Sequence, residues 1–123
     1  MQKTGLMRDF KNLHVWQRAH RLALDLYAAT RTFPPDERYG LTVQIRGAGA
    51  SISANLAEGS GRGSDADFAR FVQMSIGSAS ELENHLLFAR DLCYLSDTTW
   101  ASLSREVVQI RRMLINLLFR LKS

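Results

Sequence analysis

Apolar side chains recur along this chain at intervals of three and four residues, the repeat that puts them on one face of a helix. Leu13, Trp16, His20, Ala23, Leu24 and Tyr27 form the first such stripe, in a segment from Leu13 to Phe33. "FPPDE" then interrupts it, because proline lacks the N–H a helix interior needs and disfavours helix in the residue before it. A second stripe runs Leu41, Ile45, Ala48, Ile52, Leu56. The third takes Phe68, Phe71, Val72, Ser75, Ala79, Leu82, Leu86 and Ala89, and the fourth Trp100, Leu103, Val107, Ile110, Leu114, Leu117 and Leu121. No segment alternates with the period of a strand. The pattern predicts an all-α chain. Short connections predict that successive helices pack antiparallel, as an up-down four-helix bundle. Residues 1–123 are expected to form one domain, with a short N-terminal extension over about 1–10.

The junctions carry their own signals. Ser96 or Asp97 is placed to cap the fourth helix. "EGSGRGSDAD" joins the second and third, with Gly59, Gly61 and Gly63 as candidates for a left-handed residue closing helix two. Ser64 and Asp67 resemble a capping box for helix three, with Asp in place of Glu or Gln. A phosphate-cradling loop is excluded at these glycines: no strand precedes them and the Lys-Ser/Thr pair is missing.

Two of the helices carry more apolar surface than one core needs. Helix one has a second stripe, Val15, Ala19, Leu22, Leu26, Ala29 and Phe33, and helix four adds Val108, Ile115 and Phe119, interrupted by Arg112. Helix two has no charge between Gly47 and Ala57 and is built there mostly of small residues. Glycine costs roughly 1 kcal/mol against alanine inside a helix, so close approach by neighbouring backbone is expected to offset it. Contiguous exposed apolar patches are uncommon on monomers, which points to a homo-oligomer.

Composition narrows the class. With 46% hydrophobic and 23% charged residues among 123, the chain can bury a core. The single cysteine, Cys93, has no internal disulfide partner. No apolar block of signal-peptide type and no membrane-length apolar run occurs, so a cytoplasmic setting is expected.

Catalytic and metal chemistry find no footing. Helical bundles hold paired metals with Glu-x-x-His motifs, but His85 follows Glu81 by four residues and Glu83 by two. No metal, cofactor or catalytic residue is expected, and the chain does not read as an enzyme. His20, on the first stripe, reads as a packed core residue. Arg46, Asn55, Glu58, Arg62 and Glu81 read as structural polar residues. If helices two and three form a hairpin turning near Arg62, Arg46 comes level with Glu81, and Glu58 or Asn55 with Arg70. Such a pair would set register or assembly. Glu58 and Arg62 are also an i,i+4 pair.

The formal net charge is +4, mostly arginine, and it is uneven. Residues 1–21 hold Lys3, Arg8, Lys11, Arg18 and Arg21 against Asp9 alone, and residues 105–123 hold Arg105, Arg111, Arg112, Arg120 and Lys122 against Glu106 alone. In an up-down bundle the start of helix one, the turn after helix two and the end of helix four share a pole, where Arg62 joins them. Lys11, Arg18, Arg62, Arg112, Arg120 and Lys122 are therefore the candidate nucleic-acid contacts. Helix-dipole complementarity explains Arg120 and Lys122 but not the basic N-terminus.

Three segments, "FKNLHVWQRAHRLALDLY", "FPPDERYGLTVQIRGAGASISANLAEGSGR" and "FARFVQMSIGSASELENHL", resemble a known family. It is that of the bacterial four-helix bundle proteins encoded in intervening sequences of large-subunit ribosomal RNA genes. The resemblance runs from about Phe10 to the end of helix four and includes Trp16, Pro34, Glu37, Arg46, Asn55, Glu58, Gly59, Arg62, Gly77 and Glu81. One position departs: the family often has a second basic residue where this chain has Gly47. The resemblance implies a ring-like homopentamer. It also implies kinship with the accessory proteins of diversity-generating retroelements, basic pentamers that bind nucleic acid beside a reverse transcriptase. Two functions follow as expectations: a non-enzymatic nucleic-acid-binding oligomer for structured RNA or DNA/RNA, or an adaptor acting through protein contacts, such as with a polymerase.

Overall fold

The computed structural model describes residues 9–123; Lys3 and Arg8 of the basic N-terminal segment lie outside the described residues. Four helices follow a short 3-10 turn at Phe10–Asn12: α1 (His14–Thr30), α2 (Leu41–Ser60), α3 (Asp65–Asp91) and α4 (Asp97–Lys122), with a second 3-10 turn at Pro35–Glu37 between α1 and α2. Among the described residues there is no strand. None of these helices is long and apolar enough to cross a membrane.

The caps explain the boundaries. Ser64 accepts a hydrogen bond from the Asp67 N–H (3.1 Å) and Ser96 one from the Thr99 N–H (3.1 Å). The box at α3 closes on one side only, because the Asp67 carboxylate takes Arg70 instead (3.1 Å). The first turn of α2 is held from outside the helix. Glu37 accepts from the Leu41 N–H (3.0 Å) with one carboxylate oxygen and from the Tyr94 hydroxyl (3.0 Å) with the other. One side chain thus ties the α1–α2 connection to the α3–α4 connection.

The left-handed glycine expected between α2 and α3 is not there. No described glycine has a positive φ; Gly61 is right-handed (φ −87°, ψ −1°), and α2 tapers through bonds from Gly61 to Glu58 (3.2 Å) and Arg62 to Gly59 (3.1 Å). The one positive φ among non-glycine described residues belongs to Cys93 (65°), after α3.

Glycine serves packing instead. A Cβ on Gly59 would stand 2.6 Å from Phe71 Cβ and 2.9 Å from Phe68 Cδ1, and one on Gly49 would collide with Leu26 Cδ1. Close approach therefore accounts for Gly49 and Gly59. It does not account for Gly47, which has nothing within 4 Å of that position. On the α2–α3 seam Ser75 donates to the Ile52 carbonyl (2.8 Å) and Ser51 bonds Ser78 (2.9 Å). Each contact joins residues about equally far from the connection between the two helices. Arg111–Glu83 (2.6 Å) and the Arg90 guanidinium over the Trp100 ring (4.4 Å) bind α3 to α4 in the same manner.

In α1 the core stripe is the other of the two. Val15, Ala19, Leu22, Leu26 and Thr30 are buried, whereas Leu24 is 60% and Tyr27 47% exposed. His20, expected in the core, is exposed and stacks on Trp16 at 4.8 Å. Both stripes satisfy helical spacing. The buried one spares the core an imidazole that would need a polar partner. In α4 the expected stripe is the core: Leu103, Val107, Ile110, Leu114 and Leu117 are buried, while Ile115 and Phe119 face outward.

Candidate nucleic-acid interface

Burial of its apolar stripe fixes which way α4 presents its charges. Arg105, Arg112, Arg120 and Lys122 are exposed, and among the described residues none has an ion-pair partner; Arg111, turned toward α3, is held by Glu83. Beyond Glu106 the helix contains no carboxylate. Arg120 and Lys122 also occupy the last turn, where cations complement the helix dipole. The start of α1 and the end of α4 meet: Leu13, His14, Met113, Asn116 and Arg120 line one cavity of about 180 Å³. Lys11 stands beside it in sequence, exposed and only 3.8 Å from Asp9.

Two of the sequence-predicted contacts are engaged inside the molecule. Arg18 makes a two-pronged pair with Glu106 on α4, at 2.9 Å from Nε and 2.6 Å from Nη2, with Nη1 3.6 Å from Met113 Sδ. The Glu106 hydrogen bond raises its pKa further, against a smaller opposing effect of burial, so the guanidinium stays charged. Bidentate geometry holds both groups, and Arg18 is a tie between α1 and α4 instead of a free cation. Arg62 pairs with Glu58 (2.9 Å) as spacing predicted, and lies over the Phe71 ring at 4.8 Å; Arg70 also stands 4.8 Å from that ring's centroid.

The expected Arg46–Glu81 pair is not made. Arg46 turns to the other side of α2, donating from Nε to Thr30 Oγ1 (2.8 Å) and from Nη2 to the Tyr27 carbonyl (3.2 Å), with its guanidinium 4.4 Å from the Tyr27 ring centroid. The end of α1 offers carbonyls lacking helical partners, and a cation is favoured there. Arg46 therefore caps α1. Glu81 stands 3.3 Å from His85 on its own helix. Asn55 donates to the Ser51 carbonyl (2.9 Å) and hydroxyl (3.1 Å), extending the Ser51–Ser78 link across α2 and α3.

Among the described residues no group of three or more His, Cys, Asp and Glu is placed to hold a metal. A groove of about 420 Å³ between the start of α2 and the end of α3 is lined by Glu37, Gln44, His85, Phe88 and Leu92. Its two titratable groups are both engaged, Glu37 as a cap and His85 with Glu81. Glu37 and Tyr94 were missed as a pair from sequence; the readable signal was a carboxylate four residues before the first turn of α2.

That pair gives a pH prediction. The hydrogen bond to Glu37, then burial and the charges of Glu37 and Asp36, raise the Tyr94 pKa above its ordinary value of 10.0. The folded state thus favours the protonated phenol. The resulting stability is fully present below about pH 10 and is lost as pH rises through the higher folded pKa. Thermal melts on either side of that range should show wild-type stability falling in alkali, with Tyr94→Phe less stable at neutral pH but lacking this part of the alkaline loss. Parallel curves for the two proteins would contradict the assignment.

Comparison with known proteins places this arrangement. A search of the curated proteins finds no match. Among solved structures the chain is similar to a protein with unknown function from the S23 ribosomal protein family, from Bacteroides thetaiotaomicron VPI-5482, solved at 1.70 Å. The two share 22% identity over 85% of this chain and 97% of that one, with a TM-score of 0.76, a likeness of fold. The family model described as 23S rRNA-intervening sequence protein matches residues 11–116. That span covers α1, α2, α3 and most of α4, so this chain belongs to the 23S rRNA-intervening sequence protein family.

Proposed function

We propose that the chain is one domain, an antiparallel up-down bundle working in the cytoplasm as a non-enzymatic homo-oligomer that binds nucleic acid through a basic surface. The observation that carries the reading is the division of the surface. From Val107 to Lys122 α4 holds no carboxylate, and Arg112, Arg120 and Lys122 stand exposed without an ion-pair partner among the described residues. The outward side of α1 and α2 is different: Leu24, Tyr27 and Val43 are exposed there, and α2 has no charge from Gly47 to Ala57. This apolar face, with Arg21 and Asp25 beside Leu24, suits contact between copies, and the family resemblance makes a pentamer the expected number. A carboxylate-free cationic face suits phosphate. Repetition around an assembly makes a weak field per chain multivalent.

The structured RNA or DNA/RNA expected from the family resemblance together with the charge pattern is the preferred ligand class. Titration of a fluorescent structured RNA against the protein at low salt tests the reading. Binding that is similar for unrelated sequences is expected. If neither RNA nor DNA binds, the adaptor function, acting through protein contacts, replaces it.

A further inference from the structure

The outward face of α4 is unlike the other exposed helix faces. The reading of the chain as a nucleic-acid binder placed the contacts at one pole, where the start of α1 and the end of α4 meet. The free cations do not stop there. Arg105 is exposed with no ion-pair partner among the described residues, seven residues before Arg112. Seven residues are two helical turns, so the two lie on nearly the same line, about 10.5 Å apart along the axis. Between and beyond them the exposed side chains include the polar Gln109 and Asn116 and the apolar Ile115 and Phe119, 37% and 69% exposed. Arg120 continues the cations to the helix end. A surface groove of about 350 Å³ lies along the first half of this strip, lined by Ser104, Arg105, Val108, Gln109 and Arg112.

Resting on that reading, we propose that the phosphodiester backbone of a nucleic-acid duplex lies along the outward face of α4, held from Arg105 through Arg112 to Arg120. Gln109 and Asn116 supply neutral hydrogen bonds to phosphate or sugar, the contacts that position a backbone without reading its sequence. Charge decides for an anion over a protein surface. The two carboxylates that could compete are both already occupied, Glu106 by Arg18 and Glu83 by Arg111. The face of α1 and α2 has no comparable row of free cations, since Arg46 is turned into the end of α1.

The test compares two double variants of equal charge loss on a fluorescent RNA duplex. Arg105→Gln with Arg112→Gln removes the strip. Arg31→Gln with Arg38→Gln removes two exposed cations flanking the α1–α2 connection. The strip variant should bind at least about tenfold more weakly, and its plot of log affinity against log salt should flatten by roughly 1.4–1.8, two contacts' worth. The Arg31/Arg38 variant should keep the wild-type slope. Circular dichroism checks that all are folded, as expected for exposed positions. Equal weakening by both variants would show that net charge alone matters and would overturn the strip. So would wild-type affinity in the strip variant, while leaving nucleic-acid binding in place. Failure of the wild-type protein to bind RNA or DNA of any form would overturn the broader reading itself.

Discussion

Gly59→Ala is expected to cost the fold about 2 kcal/mol, the upper part of the roughly 1–3 kcal/mol range for overpacking less a helix-propensity gain of about 1. The added Cβ would meet Phe71 Cβ at 2.6 Å, an atom bonded directly to the α3 backbone, so α3 itself must shift. Phe68 Cδ1, at 2.9 Å, closes the other side. Two further exchanges isolate the cause. Gly47→Ala adds its methyl to open space and should stabilise by up to about 1 kcal/mol. Gly61→Ala meets Glu58 O at 3.6 Å and Ala57 O at 4.0 Å, ordinary contacts on a right-handed backbone, and should be close to neutral. Melting temperatures of the three variants would show the order. A Gly59→Ala protein as stable as Gly47→Ala would mean that α2 and α3 do not close tightly at this level.

The second large effect is on assembly. Leu24→Asp combined with Val43→Asp should reduce the oligomer to single chains of 13.9 kDa, as read by light scattering. Leu24 is 60% and Val43 51% exposed, so neither change touches the core and the helical signal should be retained. In an interface, by contrast, each would bury an unpaired carboxylate, which is strongly unfavourable. Wild type should show several times the chain mass, five if the family expectation holds. A wild-type mass of one chain would contradict assembly, and an unchanged mass in the variant would move the interface away from α1 and α2.

The helices were legible because each is long and its apolar residues keep step for several turns. Their ends were less so. The second stripe of α1 extends to Phe33, yet the helix ends at Thr30, whose hydroxyl turns back to the Leu26 carbonyl (2.7 Å). Periodicity also could not choose between two stripes that both fit 3.6 residues per turn; the buried one, Val15, Ala19, Leu22 and Leu26, is wholly apolar up to Thr30, whereas the other carries His20. For the polar residues, spacing within one helix served well and spacing across helices did not. Glu58–Arg62 is a property of a single helix. Arg46 had two helices within reach, and the free carbonyls ending α1 attracted it more than the exposed Glu81. Arg18 illustrates the same limit on charge counting. Its sequence neighbourhood is basic, but its spatial neighbour is Glu106, 88 positions away. Counting charges by segment therefore overstates the pole and understates Arg105, whose alignment with Arg112 follows from their seven-residue spacing on one helix.

Phosphate binding by this surface requires that affinity fall as salt rises. Each neutralised phosphate releases counterions, giving a slope of log affinity on log salt of about −0.7 to −0.9 per contact. With Arg105, Arg112 and Arg120 engaged, the wild-type protein should bind structured RNA at low salt with a slope steeper than about −2, alike for unrelated sequences. Absence of binding at low salt, or an affinity that salt leaves unchanged, would contradict it.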